Sequence, residues 1–156
     1  MTMKLSRKAE DYLEAIFNVS QDKGHVRIRD ICSELHIKPP TVVEMVKKLN
    51  TQGYLIHKKN DGVYLTEKGE EIGRVMSERH STILAFLTII GVPAEIADKD
   101  ACVIEHELDV RTVGQIKSLV KFIESVPERP QWLDDFSAFC RAQDKASAGG
   151  ASASRI

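Results

Sequence analysis

At 156 residues, with 42% apolar and 29% charged side chains, the chain is a globular protein with room for one ordinary core or two small ones, not a disordered polymer. The formal net charge of −1 excludes a uniformly basic coat for nucleic acid. The charge is nevertheless segregated: residues 38–68 hold six lysines against Glu44, Asp61 and Glu67, a region suited to an anion, whereas residues 93–109 hold six acids against Lys99, a region suited to a cation.

Met1 to Lys8 contain no apolar run of the kind that directs export, and no later stretch approaches the length needed to cross a bilayer. A cytoplasmic protein with no membrane partner is therefore expected. Three cysteines, at 32, 102 and 140, do not make a disulfide framework, which fits a reducing compartment.

Ser6 is a candidate N-cap for a first helix with Ala9, Tyr12, Leu13, Ile16, Phe17 and Val19 on its apolar stripe, stopped by Asp22-Lys23-Gly24. Asp11 and Glu14 lie at the edge of that stripe, and on their own they read as two solvated carboxylates. Val26-Arg27-Ile28 reads as a short extended piece. Asp30 to Leu35 reads as a short helix with Ile31, Cys32 and Leu35 inward, broken by His36-Ile37-Lys38-Pro39-Pro40. From Thr41 to Gln52, Val42, Met45, Val46 and Leu49 fall at i, i+3, i+4 and i+7, which turns Thr41, Glu44, Lys47 and Lys48 outward. Gly53 stands where a helix-ending glycine belongs. Residues 54–59 and 63–66 are strand-like runs around Asn60-Asp61-Gly62, a hairpin turn with Lys58 and Lys59 near its tip.

Two short helices followed by a basic hairpin predict a winged helix-turn-helix, whose second helix enters the major groove while the wing touches phosphate. Pro40, Thr41, Glu44, Lys47, Lys48, Lys58 and Lys59 are the expected contacts with double-stranded DNA. Thr41 and Glu44 would approach base edges, and the lysines would meet phosphates.

Thr66 can cap a long helix carrying Ile72, Val75, Met76, His80, Ile83, Leu84, Leu87 and Ile90 and ending at Gly91. His80 alone reads as a structural histidine. Pro93-Ala94-Glu95 opens an acidic helix in which Cys102, Glu105 and His106 fall at i, i+3 and i+4 on one face. Thiolate, carboxylate and imidazole together suit a divalent first-row transition metal better than Ca²⁺ or Mg²⁺, although three ligands do not complete a site. Asp109 caps a further helix with Val113, Ile116, Leu119, Val120 and Ile123 apolar, closed by Pro127 and Pro130. Trp132, Leu133, Phe136 and Phe139 mark a last amphipathic helix, expected to pack on the core or on a partner subunit. Residues 144–156 carry too little apolar surface to fold and are expected to be a disordered tail.

With these parts in place, the sequence resembles the diphtheria-toxin-repressor and manganese-transport-regulator family of metal-activated repressors, from about Ser6 to about Phe122. The resemblance rests on Glu10-Asp11-Tyr12-Leu13-Glu14-Ala15-Ile16, on Pro40-Thr41-Val42 through Met45-Val46-Lys47-Lys48-Leu49, on Leu65-Thr66-Glu67-Lys68-Gly69, on Arg79-His80 and on Glu105-His106. It implies a mainly α fold: a winged helix-turn-helix over residues 1–72, then an all-helical metal-binding and dimerisation domain over 73–143. It also implies a metal site at Asp11, Glu14, His80, Cys102, Glu105 and His106, and a homodimer formed through the C-terminal helices.

Asp11 is similar to the manganese-sensing branch and Cys102 to the iron-sensing branch, while Leu84 stands where the iron branch often has an acidic ligand for a second site. A thiolate favours softer ions, so Fe²⁺ is the expected ligand, Mn²⁺ the next, and Co²⁺, Ni²⁺ or Zn²⁺ possible in vitro. The expected function is repression of metal-homeostasis genes by a homodimer that binds operator DNA when Fe²⁺ or Mn²⁺ is bound. The alternative is a winged-helix thiol-redox regulator sensing through Cys102. No His-Glu-x-x-His helix or similar hydrolase motif is present, so neither an enzyme nor a small-molecule substrate is expected.

Overall fold

The computed structural model describes residues 5–150, with side chains described for 5–147. The chain forms two compact units, divided between Ser81 and Thr82.

The first unit contains α1 (Arg7–Lys23), α2 (Ile28–Leu35), α3 (Pro39–Thr51), β1 (Leu55–Lys58), β2 (Gly62–Leu65) and the first part of α4 (Glu67–Ile89). Ser6 starts α1 by accepting the Ala9 N–H at 3.3 Å, and Gly24 ends it with φ 65°, donating its own N–H to the Ser20 carbonyl. The next helix begins at Ile28, two residues earlier than the sequence suggests. The reason is Asp30, whose carboxylate accepts the Arg27 N–H at 2.9 Å and so satisfies a donor just ahead of the first turn. The expected extended piece shrinks to Val26, which bridges Val63 antiparallel; its carbonyl accepts the Val63 N–H at 2.8 Å.

α3 ends in a Schellman turn. Gly53, at φ 77°, donates to Asn50, and the Tyr54 N–H donates to Leu49 at 3.0 Å. β1 and β2 then pair antiparallel, from Leu55 against Leu65 to Lys58 against Gly62. Tyr12, Leu13, Ile16, Ile31, Val42, Val46, Leu49, Leu55 and Val63 form one buried cluster, each large side chain in it contributing about 1.5–3 kcal/mol. Because Val42, Val46 and Leu49 are fully buried, the inward face of α3 is anchored and its outward face is presented as a fixed surface.

The second unit contains the rest of α4, with α5 (Ala94–Ile104), α6 (Val110–Ser125) and α7 (Gln131–Gly150). Ile83, Ala97, Ala101, Val113, Val120 and Leu133 are its buried apolar residues. Asp109 caps α6 through the Arg111 N–H at 2.9 Å, as its position in the sequence suggests. α5 is shorter than expected. It ends at Ile104, and Glu105 to Glu107 form a turn, although the Glu105 N–H still reaches the Ala101 carbonyl at 3.0 Å. Of the apolar stripe on α7, Leu133 is buried while Trp132, Phe136 and Phe139 are exposed. α7 runs on through the first residues of the expected tail to Gly150, and residues 151–156 lie outside the described residues. Among the described residues no helix is long and apolar enough to cross a membrane.

Candidate nucleic-acid interface and metal centre

The outward face of α3 carries Pro40, Glu44, Lys47 and Lys48 exposed, with Thr41 half-buried beside them. Two hydrogen bonds brace this helix against the hairpin: Asn50 Oδ1 accepts the His57 N–H at 3.0 Å, and the Thr66 hydroxyl donates to the Gly53 carbonyl at 2.8 Å. Lys58 and Lys59 are exposed on the wing. The Lys58 ammonium lies 5.1 Å from the centre of the Tyr64 ring and 3.5 Å from the Asp61 carboxylate. That ion pair is solvated on both sides and worth little, so it steers Lys58 without withdrawing it from a phosphate.

The acid and imidazole groups fall into a set in each unit. In the first, Glu14 on α1 and His80 on α4 bring a carboxylate oxygen and a ring nitrogen within 4.8 Å of each other, both half-buried. Asp11 is half-buried one turn earlier on α1. This approach has a backbone cause. Gly73, seven residues and so two turns before His80, is buried against α1, where a Cβ would lie 2.6 Å from the Leu13 carbonyl oxygen and 2.6 Å from Phe17 Cβ. Only glycine lets the two helices run this close.

In the second unit Glu105 is 1% exposed, and its Oε1 lies 3.3 Å from His106 Nε2. A carboxylate this deeply buried needs a cation or donors around it. The pair also follows the last turn of α5, where the partial negative charge of a helix C-terminus favours a cation. Carboxylate and imidazole donors at such separations fit a divalent first-row ion. Cys102 is exposed, within the last turn of α5, and Glu105, the residue that ends the helix, keeps helical backbone angles (φ −57°, ψ −31°) three residues after it.

Sequence reasoning gave no functional role to Asn50, Gly73 or the segment His25-Val26-Arg27. For Gly73 a signal was present: Gly69, Gly73, Met76 and His80 fall on one face of α4, with two glycines where a core helix usually carries bulk.

A winged helix with a basic outer face, joined to a helical unit with buried acid and imidazole, defines a metal-responsive DNA-binding regulator. Residues 4–63 match the family described as iron dependent repressor, N-terminal DNA binding domain, and residues 66–134 match the iron dependent repressor metal binding and dimerisation domain. The HTH-type transcriptional regulator MntR of Listeria welshimeri is 40% identical over 119 residues, covering 76% of this chain and 84% of that relative. Among solved structures, the manganese regulator SloR is similar at a TM-score of 0.64 and 26% identity, over 77% of this chain and 55% of that one. A manganese-dependent transcriptional repressor in complex with manganese is similar at a TM-score of 0.65 and 26% identity, over 73% and 53%. This chain thus spans about half the length of those two solved chains. The chain belongs to the DtxR/MntR family of metal-dependent transcriptional regulators, whose members are DNA-binding proteins and not enzymes. Membership brings a divalent metal, DNA and a dimerisation domain, and it lends no support to the thiol-redox alternative.

Proposed function

We propose that the chain is a cytoplasmic repressor that binds operator DNA as a homodimer when Asp11, Glu14, His80, Glu105 and His106 hold a divalent ion, so controlling metal-homeostasis genes. Cys102 is the sixth candidate ligand. The single observation that carries this reading is the burial of Glu105 beside His106, in a family whose second domain binds metal.

When bound, the ion supplies positive charge that offsets the clustered carboxylates. Asp11 and Glu14 belong to the DNA-binding unit and Glu105 to the other; like charges on these carboxylates repel unless a cation offsets them. Gathering them as ligands of one ion restrains the two units of each subunit, and with them the spacing of the two α3 helices in the dimer. Half-sites on one face of B-DNA lie about 34–36 Å apart, so this spacing decides whether both helices enter the groove together. A coupling of about 1–3 kcal/mol corresponds to roughly 5–150-fold tighter operator binding with metal, and by linkage DNA tightens metal binding equally. The partner subunit covers the apolar surface of the second unit: exposed Phe122 and Trp132 line an open groove of about 590 Å³ with Val126, Pro127, Glu128 and Pro130.

The choice of ion turns on Cys102. Carboxylate and imidazole donors suit Mn²⁺, the metal named for the relatives, and the exposure of Cys102 weighs on the same side. A thiolate in the shell would move the preference to Fe²⁺. Two variants test the reading by DNA-binding anisotropy in the absence of oxygen. Glu105→Ala should abolish the metal dependence of operator binding, and retained metal dependence would refute this assignment of ligands. Cys102→Ser should leave activation by Mn²⁺ unchanged, whereas a selective loss of activation by Fe²⁺ would establish the thiolate as a ligand.

A further inference from the structure

We propose that Arg27 is a DNA-backbone contact beside the wing, and that His25 is the positioning residue that aims it. The inference rests on the DNA-binding reading of the first unit and adds to it a cation outside the recognition helix and the hairpin.

The bridge between Val26 and Val63 lays His25 and Arg27 along the edge of β2. There the His25 ring meets Tyr64 edge-on, with ring centres 6.0 Å apart and planes at 61°, and its Nδ1 lies 3.4 Å from the Tyr64 hydroxyl oxygen. On the other side of the ring, Arg27 Nε donates to His25 Nε2 at 3.3 Å. The Asp61 carboxylate near the Tyr64 hydroxyl holds that phenol's pKa above the usual value. These contacts have one consistent direction: Arg27 donates to Nε2, and Nδ1–H donates to the Tyr64 oxygen. His25 is thereby assigned as the Nδ1–H tautomer, since only that form can accept from Arg27 and donate to Tyr64 at once.

Both ends of the chain of contacts are fixed. At the wing, Gly62 at φ 136° has no room for a side chain, since a Cβ would lie 2.6 Å from the Val26 carbonyl oxygen and 2.8 Å from His25 Cε1. At the helix end, the Arg27 backbone N–H is held by Asp30, which also pairs with Lys23 at 2.9 Å.

With Nε committed to His25, the exposed Arg27 guanidinium has two terminal nitrogens with no partner among the described residues. That planar fork matches the two oxygens of a phosphate. Lys58, already the expected wing contact, lies over the other side of the same network through the Tyr64 ring. Arg27 and Lys58 are therefore two cations gathered round one tyrosine, with Asp61, paired to Lys58, the one acid bonded to the group among the described residues.

The test uses the full-length, metal-loaded protein, a duplex selected from random sequence by this protein, and an unrelated duplex of equal length, followed by anisotropy across a salt series. Arg27→Ala should weaken binding to both duplexes by about tenfold and reduce the slope of log K against log salt by about one per subunit. His25→Ala should weaken both in the same direction, and should have no further effect in the Arg27→Ala background, as two residues acting through one contact require. Arg27→Lys, which keeps the charge but not the fork, should recover the slope more than the affinity.

Affinity within twofold of wild type and an unchanged slope for Arg27→Ala would overturn the proposal. A full His25→Ala loss persisting without Arg27 would overturn the positioning role, making His25 a support of the wing alone. Lys47→Ala and Lys48→Ala separate the two levels. If those variants weaken binding and Arg27→Ala does not, only this inference fails; if none of the three does, the DNA-binding reading fails with it.

Discussion

Replacing Gly73 by alanine sets two opposed effects against each other. Helix propensity alone favours alanine by about 0.8–1.0 kcal/mol in a helix interior. Against this, the new Cβ would stand 2.6 Å from the Leu13 carbonyl oxygen and from Phe17 Cβ, where ordinary contact begins at 3.4 Å, so α4 must withdraw from α1 by about 0.8 Å. Overpacking of this kind costs about 1–3 kcal/mol. The balance is a net loss of about 0–2 kcal/mol, or a melting temperature lower by up to about 8 °C for a chain of this size. The same withdrawal separates Glu14 from His80, which now lie within 4.8 Å, and a loss of about 10–100-fold in metal affinity is expected from a disturbance on this scale. Gly114→Ala is the control: nothing lies within 4 Å of a Cβ there, so it should stabilise α6 by the propensity term alone. Thermal unfolding in chelator and a Mn²⁺ titration followed by electron paramagnetic resonance measure the two effects separately. Gly73→Ala behaving like Gly114→Ala, with raised stability and unchanged Mn²⁺ affinity, would show that no close helix approach holds Glu14 beside His80.

Lys58→Ala should weaken binding to every DNA sequence by a similar factor and flatten the salt dependence; a loss confined to one operator in the anisotropy assay would remove Lys58 from the phosphate contacts. Asp30 accepts from Lys23 and from the Arg27 N–H, which together hold its carboxyl below the ordinary value. Its contribution to stability, about 0.5–2 kcal/mol by analogy with helix caps, is therefore present above the usual carboxylate pKa of about 3.9 and lost as pH falls through the lowered value. Urea unfolding should show Asp30→Ala less stable than wild type at pH 7 and the gap narrowing below about pH 4; a gap independent of pH would point to packing in place of charge.

Much of the fold was legible because its signals are local. Ser6, Gly24, Gly53, Thr66 and Asp109 each act within a few residues, and each stands where capping chemistry placed it. The apolar positions of α3 were legible for the same reason, since a period of 3.6 is written in consecutive residues. What escaped depends on pairs far apart in sequence. The bridge from Val26 to Val63 and the contact of His25 with Tyr64 appear only once the hairpin has folded back. The end of α5 at Ile104 escaped because no glycine or proline marks it. The start of the expected tail was judged on its missing apolar surface, but alanines, Arg141, Gln143 and Lys145 are strong helix formers that carry α7 onward without burial. For the candidate metal residues, Cys102, Glu105 and His106, the three within α5 and its following turn, were visible as a spacing, whereas the approach of Glu14 to His80 depends on two helices packing through Gly73.

The central claim is that operator binding requires a divalent ion. The most direct measurement is an oxygen-free titration of the chelator-treated dimer with Mn²⁺ and Fe²⁺ at fixed salt, following anisotropy of a labelled operator. Binding should be weak in chelator and tighten by about 5–150-fold as metal is added, with the increase absent in Glu105→Ala. Operator binding of full strength in chelator, unchanged by either ion, would contradict the claim.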